Sequence, residues 1–492
     1  MGGGLSPLGG VVNVKGLVEG VILALLCAGV MVFSIQLGVF EGLELRTLDA
    51  RFRSYAKAQE ASPDIVVAAI DDKSLRTFKK NGVTWKWPRD FYGLLVDYLR
   101  QGGARTVVFD VVYADPDIDR RDSDADETDG AFGSAMAKAG NVVLAAVFQQ
   151  DKDLTRGENP LISGVSLPDV QTNTSYPLKT YGSAVFPIAR FQEHAASIGG
   201  ANFEPDEVDG VYRRLFPFVE YDGVAFPHLG VAAYMRAKRI SSVSYLDNGN
   251  LKMGDLEVPL DSKGRFLVNW YGRGGPEGVF KYYSVSDLIA SAISEQSGQK
   301  PMIPSSNFKD KVVIVGANAT ALFDLRTTPF TSIEAYPGLE IYGTMLSNLM
   351  QEHFLVRSHG TWTHLAVLAF CLILSLSFLF LQSIRIAFLT AILCGGGWLL
   401  VAIFAFEQHR LWVDLVAPGL SIVFSFAMAA VFSYWREGKA RKRLRAMFGR
   451  YLSPVVVAEV VEKSGDLELG GKDPAYICGE ITLMEQMIER FQ

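Results

Sequence analysis

Three apolar runs, HLAVLAFCLILSLSFLFL (364–381), IAFLTAILCGGGWLLVAIFAF (386–406) and LVAPGLSIVFSFAMAAVFSYW (415–435), lie between Trp362 and Trp435 and decide the fold. Each is close to the ~20 residues that a helix needs to cross ~30 Å of hydrocarbon. Charges fall in the breaks: Arg385 in the first, and Glu407, His409, Arg410 and Asp414 in the second. Lipid cannot satisfy open backbone polar groups, so such runs must be helices packed on one another. A soluble helix of this length shows a polar face, and these show none. The reading is three membrane spans at about 364–382, 386–406 and 415–435, within a membrane region 362–435.

Working outward towards the N-terminus, Val18 to Phe40 is a fourth apolar run, broken only by Glu19 and Gln36. A secretory signal is shorter and ends at a small-residue cleavage site, so 17–40 reads as an uncleaved first span. Residues 1–16 are a Gly-rich lead-in. Past Trp435 come Arg436, Lys439, Arg441, Lys442, Arg443 and Arg445, with Glu437 as the acidic residue among them. Basic residues beside a span mark its cytoplasmic end. Counting back places residues 41–361 outside the plasma (inner) membrane and both termini in the cytoplasm.

The net charge of −6 argues against nucleic acid as a partner, since phosphate binding needs a basic surface. Cys27, Cys371, Cys394 and Cys478 leave the large segment without a cysteine, so it folds without disulfides or thiolate metal sites. That segment reads as an α/β domain with a mixed or parallel sheet and flanking helices. Ile65–Ile70 and Thr106–Phe109 are continuous apolar strands ending in Asp71 and Asp72 and in Asp110, as expected of strands buried on both faces. Between them, Asp90–Gln101 has helical spacing. Lys311–Val315 is a further strand followed by Gly316 as a tight turn, and Gly338–Leu349 is a helix. Asn141–Val147 and Gly264–Trp270 add strands.

The acidic stretch Asp115–Asp129 lacks the Gly and Glu positions of a calcium loop, with Glu127 and Gly133 standing there instead. It is expected to be a solvated loop. Asp71, Asp72, Asp110 and Gly316 share the C-terminal edge of the predicted sheet, where ligands bind in open α/β folds. Trp87 and Arg89 precede the helix between the first two strands and could offer a stacking face and a bidentate donor there. The competing reading has Asp71 capping a turn and Asp110 pairing with Arg89. Asp209-Gly210 followed by Arg213 and Arg214 is expected to be a hairpin with outward arginines. No catalytic residue, metal site or cofactor is expected.

Further motifs occur in order along the chain: Leu48-Asp49-Ala50-Arg51-Phe52-Arg53, Ile70-Asp71-Asp72-Lys73-Ser74, Trp87-Pro88-Arg89, Val108-Phe109-Asp110, Pro205-Asp206, Asp209-Gly210-Val211-Tyr212-Arg213-Arg214, Val313-Ile314-Val315-Gly316, Asp324 and Pro337-Gly338. With these the segment resembles the CHASE2 domain, an extracytoplasmic sensory module of bacterial signalling proteins, and the layout of one span, the domain and three spans resembles that family too. The resemblance implies an external stimulus or ligand of unknown identity and adds Asp324 to the ligand-binding candidates.

Phe448-Gly449-Arg450-Tyr451-Leu452-Ser453-Pro454 and Leu467-Glu468-Leu469-Gly470-Gly471 resemble the linker of class III adenylate or guanylate cyclases, over 436–471. The divergent tail 472–492 carries no metal-binding Phe-Ser-Asp motif, so no cyclase activity is expected of this chain, and a frameshifted or shortened reading frame is expected as the origin. The function expected is a membrane-bound sensor, the receptor half of a CHASE2 adenylate cyclase, in contact with membrane lipid. Spans and linker are expected to form a homodimer, since class III cyclases need two catalytic domains face to face. A CHASE2 receptor for another output such as a kinase, or a transporter-like protein, is the alternative.

Overall fold

The computed structural model describes residues 14–121, 123–150, 167–172, 178–319, 325–331, 336–379 and 383–448. Asp324, the lead-in before 14, and the cyclase-like linker and tail from 449 lie outside the described residues. Among the described residues, four helices are long and apolar enough to cross a membrane: Gly16–Gln36, Gly360–Leu379, Ile384–His409 and Val416–Arg443. The last belongs to a single 33-residue helix, Val416–Phe448. Its Lys, Arg, Ala, Leu and Met residues are good helix formers, so nothing stops the helix where the apolar run ends.

The chain divides into two compact units, 1–29 with 368–394 and 421–492, and 30–367 with 395–420. In the first, described helices pack through small buried residues such as Ala24, Ala28, Ser375 and Ala429. A Cβ on Gly20 would stand 3.0 Å from Leu376 Cδ2, so glycine permits close helix approach there. The single acidic residue of the first span is not isolated: Arg436 Nη1 donates to Glu19 Oε2 at 3.1 Å.

The second unit is built on a seven-stranded sheet. Its strands are β1 (Ile65–Ile70), β2 (Thr106–Asp110), β3 (Val142–Gln149), β4 (Ser183–Val185), β5 (Ser197–Gly200), β6 (Lys281–Ser284) and β7 (Val312–Ala317). The order is β6-β1-β7-β2-β3, with β4 antiparallel and β5 parallel to β3 and all other pairs parallel. Ile65, Val67 and Ala69 of β1 face one core, and Val66, Ala68 and Ile70 the other. The second core is covered by α2 (Asp72–Lys80), α3 (Asp90–Gln101), α4 (Ala125–Ala139) and α6 (Val285–Gln296), and the first by α5 (Leu229–Lys238) and α7 (Gly338–Gln351). Each fully buried Val, Leu or Ile contributes roughly 1.5–3 kcal/mol relative to exposure, and both faces of the sheet draw on this term. The strands expected around Ile65–Ile70, Thr106–Phe109, Asn141–Val147 and Lys311–Val315 and the helices expected over Asp90–Gln101 and Gly338–Leu349 are thus present.

Two local expectations fail. Gly316 is not a turn: it lies inside β7, in register with Ala69 and Asp110 on the flanking strands. A Cβ there would come 3.1 Å from Asp110 Cβ and 3.4 Å from Leu339 Cβ, so glycine is what lets α7 sit close to the strand. The strand expected over Gly264–Trp270 shrinks to Phe266–Leu267, paired with Arg214–Leu215. Helices α2, α4, α5 and α6 went unforeseen, as did α1 (Glu41–Tyr55), which follows the first span at once and carries the Leu48–Arg53 motif.

Candidate functional site

At the sheet edge, Asp71 follows the last residue of β1, Asp110 is the last residue of β2, and Gly316, opposite Asp110, is one residue short of the end of β7. Asp71 caps α2, accepting from Ser74 N at 2.7 Å and from Ser284 Oγ at 2.8 Å, and Asp72 opens that helix. This ties α2 to the start of α6. Trp87 and Arg89 turn away into the domain. Trp87 is buried with its ring centroid 4.3 Å from that of Phe78. Arg89 Nη1 donates to Asp129 Oδ1 at 2.8 Å, and its guanidinium lies 5.1 Å from the ring centres of Tyr113 and Phe191. The partner of Arg89 is therefore Asp129 and not Asp110.

The acidic stretch is likewise not a solvated loop throughout. Asp129 is buried, and Asp117 accepts from Arg89 N, Thr128 Oγ1 and Arg120 Nη2. Burial works to raise the Asp117 carboxyl, but these donors and Ile118 N hold it down at about 2. Among the described residues, no group of three or more His, Cys, Asp or Glu side chains is placed to hold a metal ion.

A different cluster gathers on α1. Arg213, expected to point outward, is fully buried. Its Nε and Nη2 donate to both oxygens of Asp49 at 2.8 and 2.6 Å, Nη1 donates to Asp206 at 3.0 Å, and both terminal nitrogens reach Asp209 at 2.9 and 2.8 Å. The Asp-Gly turn exists, with Gly210 at φ +75°, but the strand after it pairs with Phe266–Leu267 and not across a hairpin. Two stretches far apart in sequence, Leu48–Arg53 and Pro205–Arg214, thus meet at one guanidinium. Burial opposes the Arg213 charge, yet its carboxylates outweigh that and hold its pKa above the ordinary value.

The same helix reaches the segment between the third and fourth spans. Two short strands, β8 (Val356–Arg357) and β9 (Leu411–Trp412), pair in parallel and join the residues before the second span to those before the fourth. Buried Glu44 accepts from Arg51 Nη2 at 2.8 Å, Trp412 Nε1 at 3.0 Å, Leu415 N at 2.9 Å and Val416 N at 2.8 Å. A carboxylate at the first amides of a helix is favoured by the orphan N–H groups and the dipole. Arg51 Nη1 donates to the Val413 carbonyl at 2.9 Å, and Phe52 meets Phe406 edge-on at 5.4 Å.

Arg357 closes the arrangement. It binds Glu41 through both terminal nitrogens at 2.8 and 2.9 Å and Asp414 through Nε at 2.9 Å, and its guanidinium lies 4.3 Å from the Trp412 ring centre. Asp414 also accepts from Thr363 Oγ1 at 2.8 Å, and its backbone carbonyl accepts from Trp398 Nε1 at 3.0 Å. Burial pushes the Asp414 carboxyl up, with Arg357 and Thr363 opposing. Helix α1 thus holds the domain core through Asp49 and the span ends through Glu44, Arg51 and Glu41. Sequence reasoning missed it, although Glu407 to Asp414 had stood out as charges in a break between spans.

A family model described as the CHASE2 domain matches residues 22–379, more than half of the chain. No curated protein and no solved structure matches it significantly. The motif residues Asp49, Asp206, Asp209 and Arg213 lie within the matched range and meet at the buried Arg213 guanidinium, and the chain belongs to the CHASE2 domain family.

Proposed function

We propose that this chain is a membrane sensor. Its α/β domain faces the extracytoplasmic side, receives a stimulus there, and passes it through the spans to a cytoplasmic output of class III cyclase type. The observation that carries this reading is α1, which binds the domain core at Arg213 and the first amides of the fourth span helix at Leu415 and Val416. A movement of α1 relative to the domain would pull directly on a helix that continues to Phe448. Reception and transmission, and not catalysis, are the part played by these residues. The stimulus-bearing edge is formed by Asp71, Asp72, Asp110 and Gly316, and two copies pair through the spans and the helix after them, so that paired outputs meet.

Reporter fusions test the topology: alkaline phosphatase should be active when joined after Thr361 and inactive after Arg445, and the reverse pattern rejects the orientation. Coupling is tested with a single cysteine at Lys439 in a chain whose native cysteines are replaced. In inside-out vesicles Glu44→Gln should speed its maleimide labelling, because the start of the fourth span helix loses its tether. An unchanged rate in a folded variant would remove α1 from the transmission path.

A further inference from the structure

A cavity of about 590 Å³ lies beside α1, within the size range of small-molecule sites. One wall comes from the domain, through Val208, Leu260 and Leu267, and the other from Leu355 to Gly360, which lead straight into the second span. Trp412 lines it as well. Trp362, in the first turn of that span helix, is 67% exposed. Exposed tryptophan at a span end marks the membrane–water interface, so the cavity wall stands at headgroup depth.

The charges in the cavity are balanced. Glu41, Asp206, Glu207 and Asp261 supply four carboxylates, and Arg214, Lys263, Arg265 and Arg357 supply four cations. The three arginines are already held: Arg214 by Asp206 at 2.6 Å, Arg265 by Asp261 at 2.8 Å and Arg357 by Glu41 at 2.8 Å. A simple anion would meet as many carboxylates as cations. Only Lys263 and Glu207 form a loose pair, 4.0 Å apart with side chains 60% and 87% exposed. Such a pair is worth little and opens readily. It offers a cation and a carboxylate side by side at one end of a partly apolar cavity.

We infer that this cavity binds a zwitterionic phosphate–ammonium group, as in an ethanolamine phospholipid headgroup, with the phosphate against Lys263 and the ammonium against Glu207. The inference rests on the reading of the chain as a membrane sensor and names a ligand for the region where α1 meets the span ends. A bound headgroup would touch the domain wall and the start of the second span together, so occupancy would couple to the same helix.

The test uses the full chain in nanodiscs of phosphatidylethanolamine or phosphatidylglycerol, released into the gas phase for native mass spectrometry. One phosphatidylethanolamine per chain should be retained, with phosphatidylglycerol retained roughly tenfold less, a difference of about 1.4 kcal/mol. Val208→Trp fills the cavity from a position that is 56% exposed and tolerant of size, and it should lose the lipid. Lys263→Ala, at the open end, should weaken retention without touching the core. Retention that soluble phosphoethanolamine does not displace assigns the lipid as source, whereas saturable binding of soluble phosphoethanolamine assigns a free zwitterion. Equal retention of the two lipids, or wild-type retention in both variants, overturns the inference. Reporter fusions on the same variants separate this outcome from failure of the sensor reading, because topology does not depend on the cavity.

Discussion

The sheet edge and the α1 cluster both carry aspartates, yet they are built differently. At the edge, Asp71 is half-buried and accepts from a backbone amide and a serine hydroxyl, all neutral donors. Around α1, buried carboxylates meet donors across long stretches of chain: Asp49 and the Arg213 guanidinium are 164 residues apart, and Glu44 and the Trp412 indole are 368 apart. A capped helix end can lose its cap and remain a helix. A buried charge that loses its counter-charge cannot be rehydrated without opening the core. The contrast therefore predicts a rank of effects.

The largest effect should follow Arg213→Met, which strands Asp49 as a buried carboxylate, leaves Asp206 with Arg214 alone, and costs roughly 3–5 kcal/mol. Urea unfolding of the purified chain, followed by tryptophan fluorescence, measures it. Adding Asp49→Leu should recover part of the loss, since the remaining buried charge then falls. A loss no larger than that from an exposed cap would erase the distinction between the two regions.

Glu340 sharpens the comparison from the other side, as a buried carboxyl with no cation beside it among the described residues. It is fully buried; Oε1 accepts from Tyr282 Oη and Gly275 N, and Oε2 has no partner among the described residues. Burial pushes its pKa up to about 7, against the hydrogen bonds from Tyr282 and Gly275. An unfolded Glu titrates near ~4.3. Between that value and about 7 the folded chain holds a proton that the unfolded chain has released. Stability therefore falls as pH rises through this window, and the penalty persists above it. The loss is on the order of 3 kcal/mol. Glu340→Gln should remove this part of the slope when unfolding midpoints are compared at acid and neutral pH. A parallel pH dependence in variant and wild type would show that Glu340 is charged in the fold.

The smallest effect belongs to the edge. Asp71→Ala removes a helix cap and should cost about 1 kcal/mol, read by the same unfolding experiment. A loss as large as that of Arg213→Met would mean that the Asp71, Ser74 and Ser284 bonds hold far more than one helix end.

The sequence by itself determined the elements whose cause is local. Four apolar runs had to become helices because lipid leaves backbone groups no other partner, and Ile65–Ile70 and Thr106–Phe109 had to be strands buried on both faces because they are apolar throughout. It also showed the order of the family motifs, since that order is written in residues. Only the tertiary structure decided how these pieces meet. It inserted β7 between β1 and β2, which turned Gly316 from an expected turn into a close-packed strand residue. It sent Arg89 to Asp129 and Arg213 inward to Asp49, and it set Glu44 at the first amides of the fourth span helix. The physical reason is that a charge beside a turn reads the same in sequence whether it faces water or a partner hundreds of residues away, and only packing removes the water.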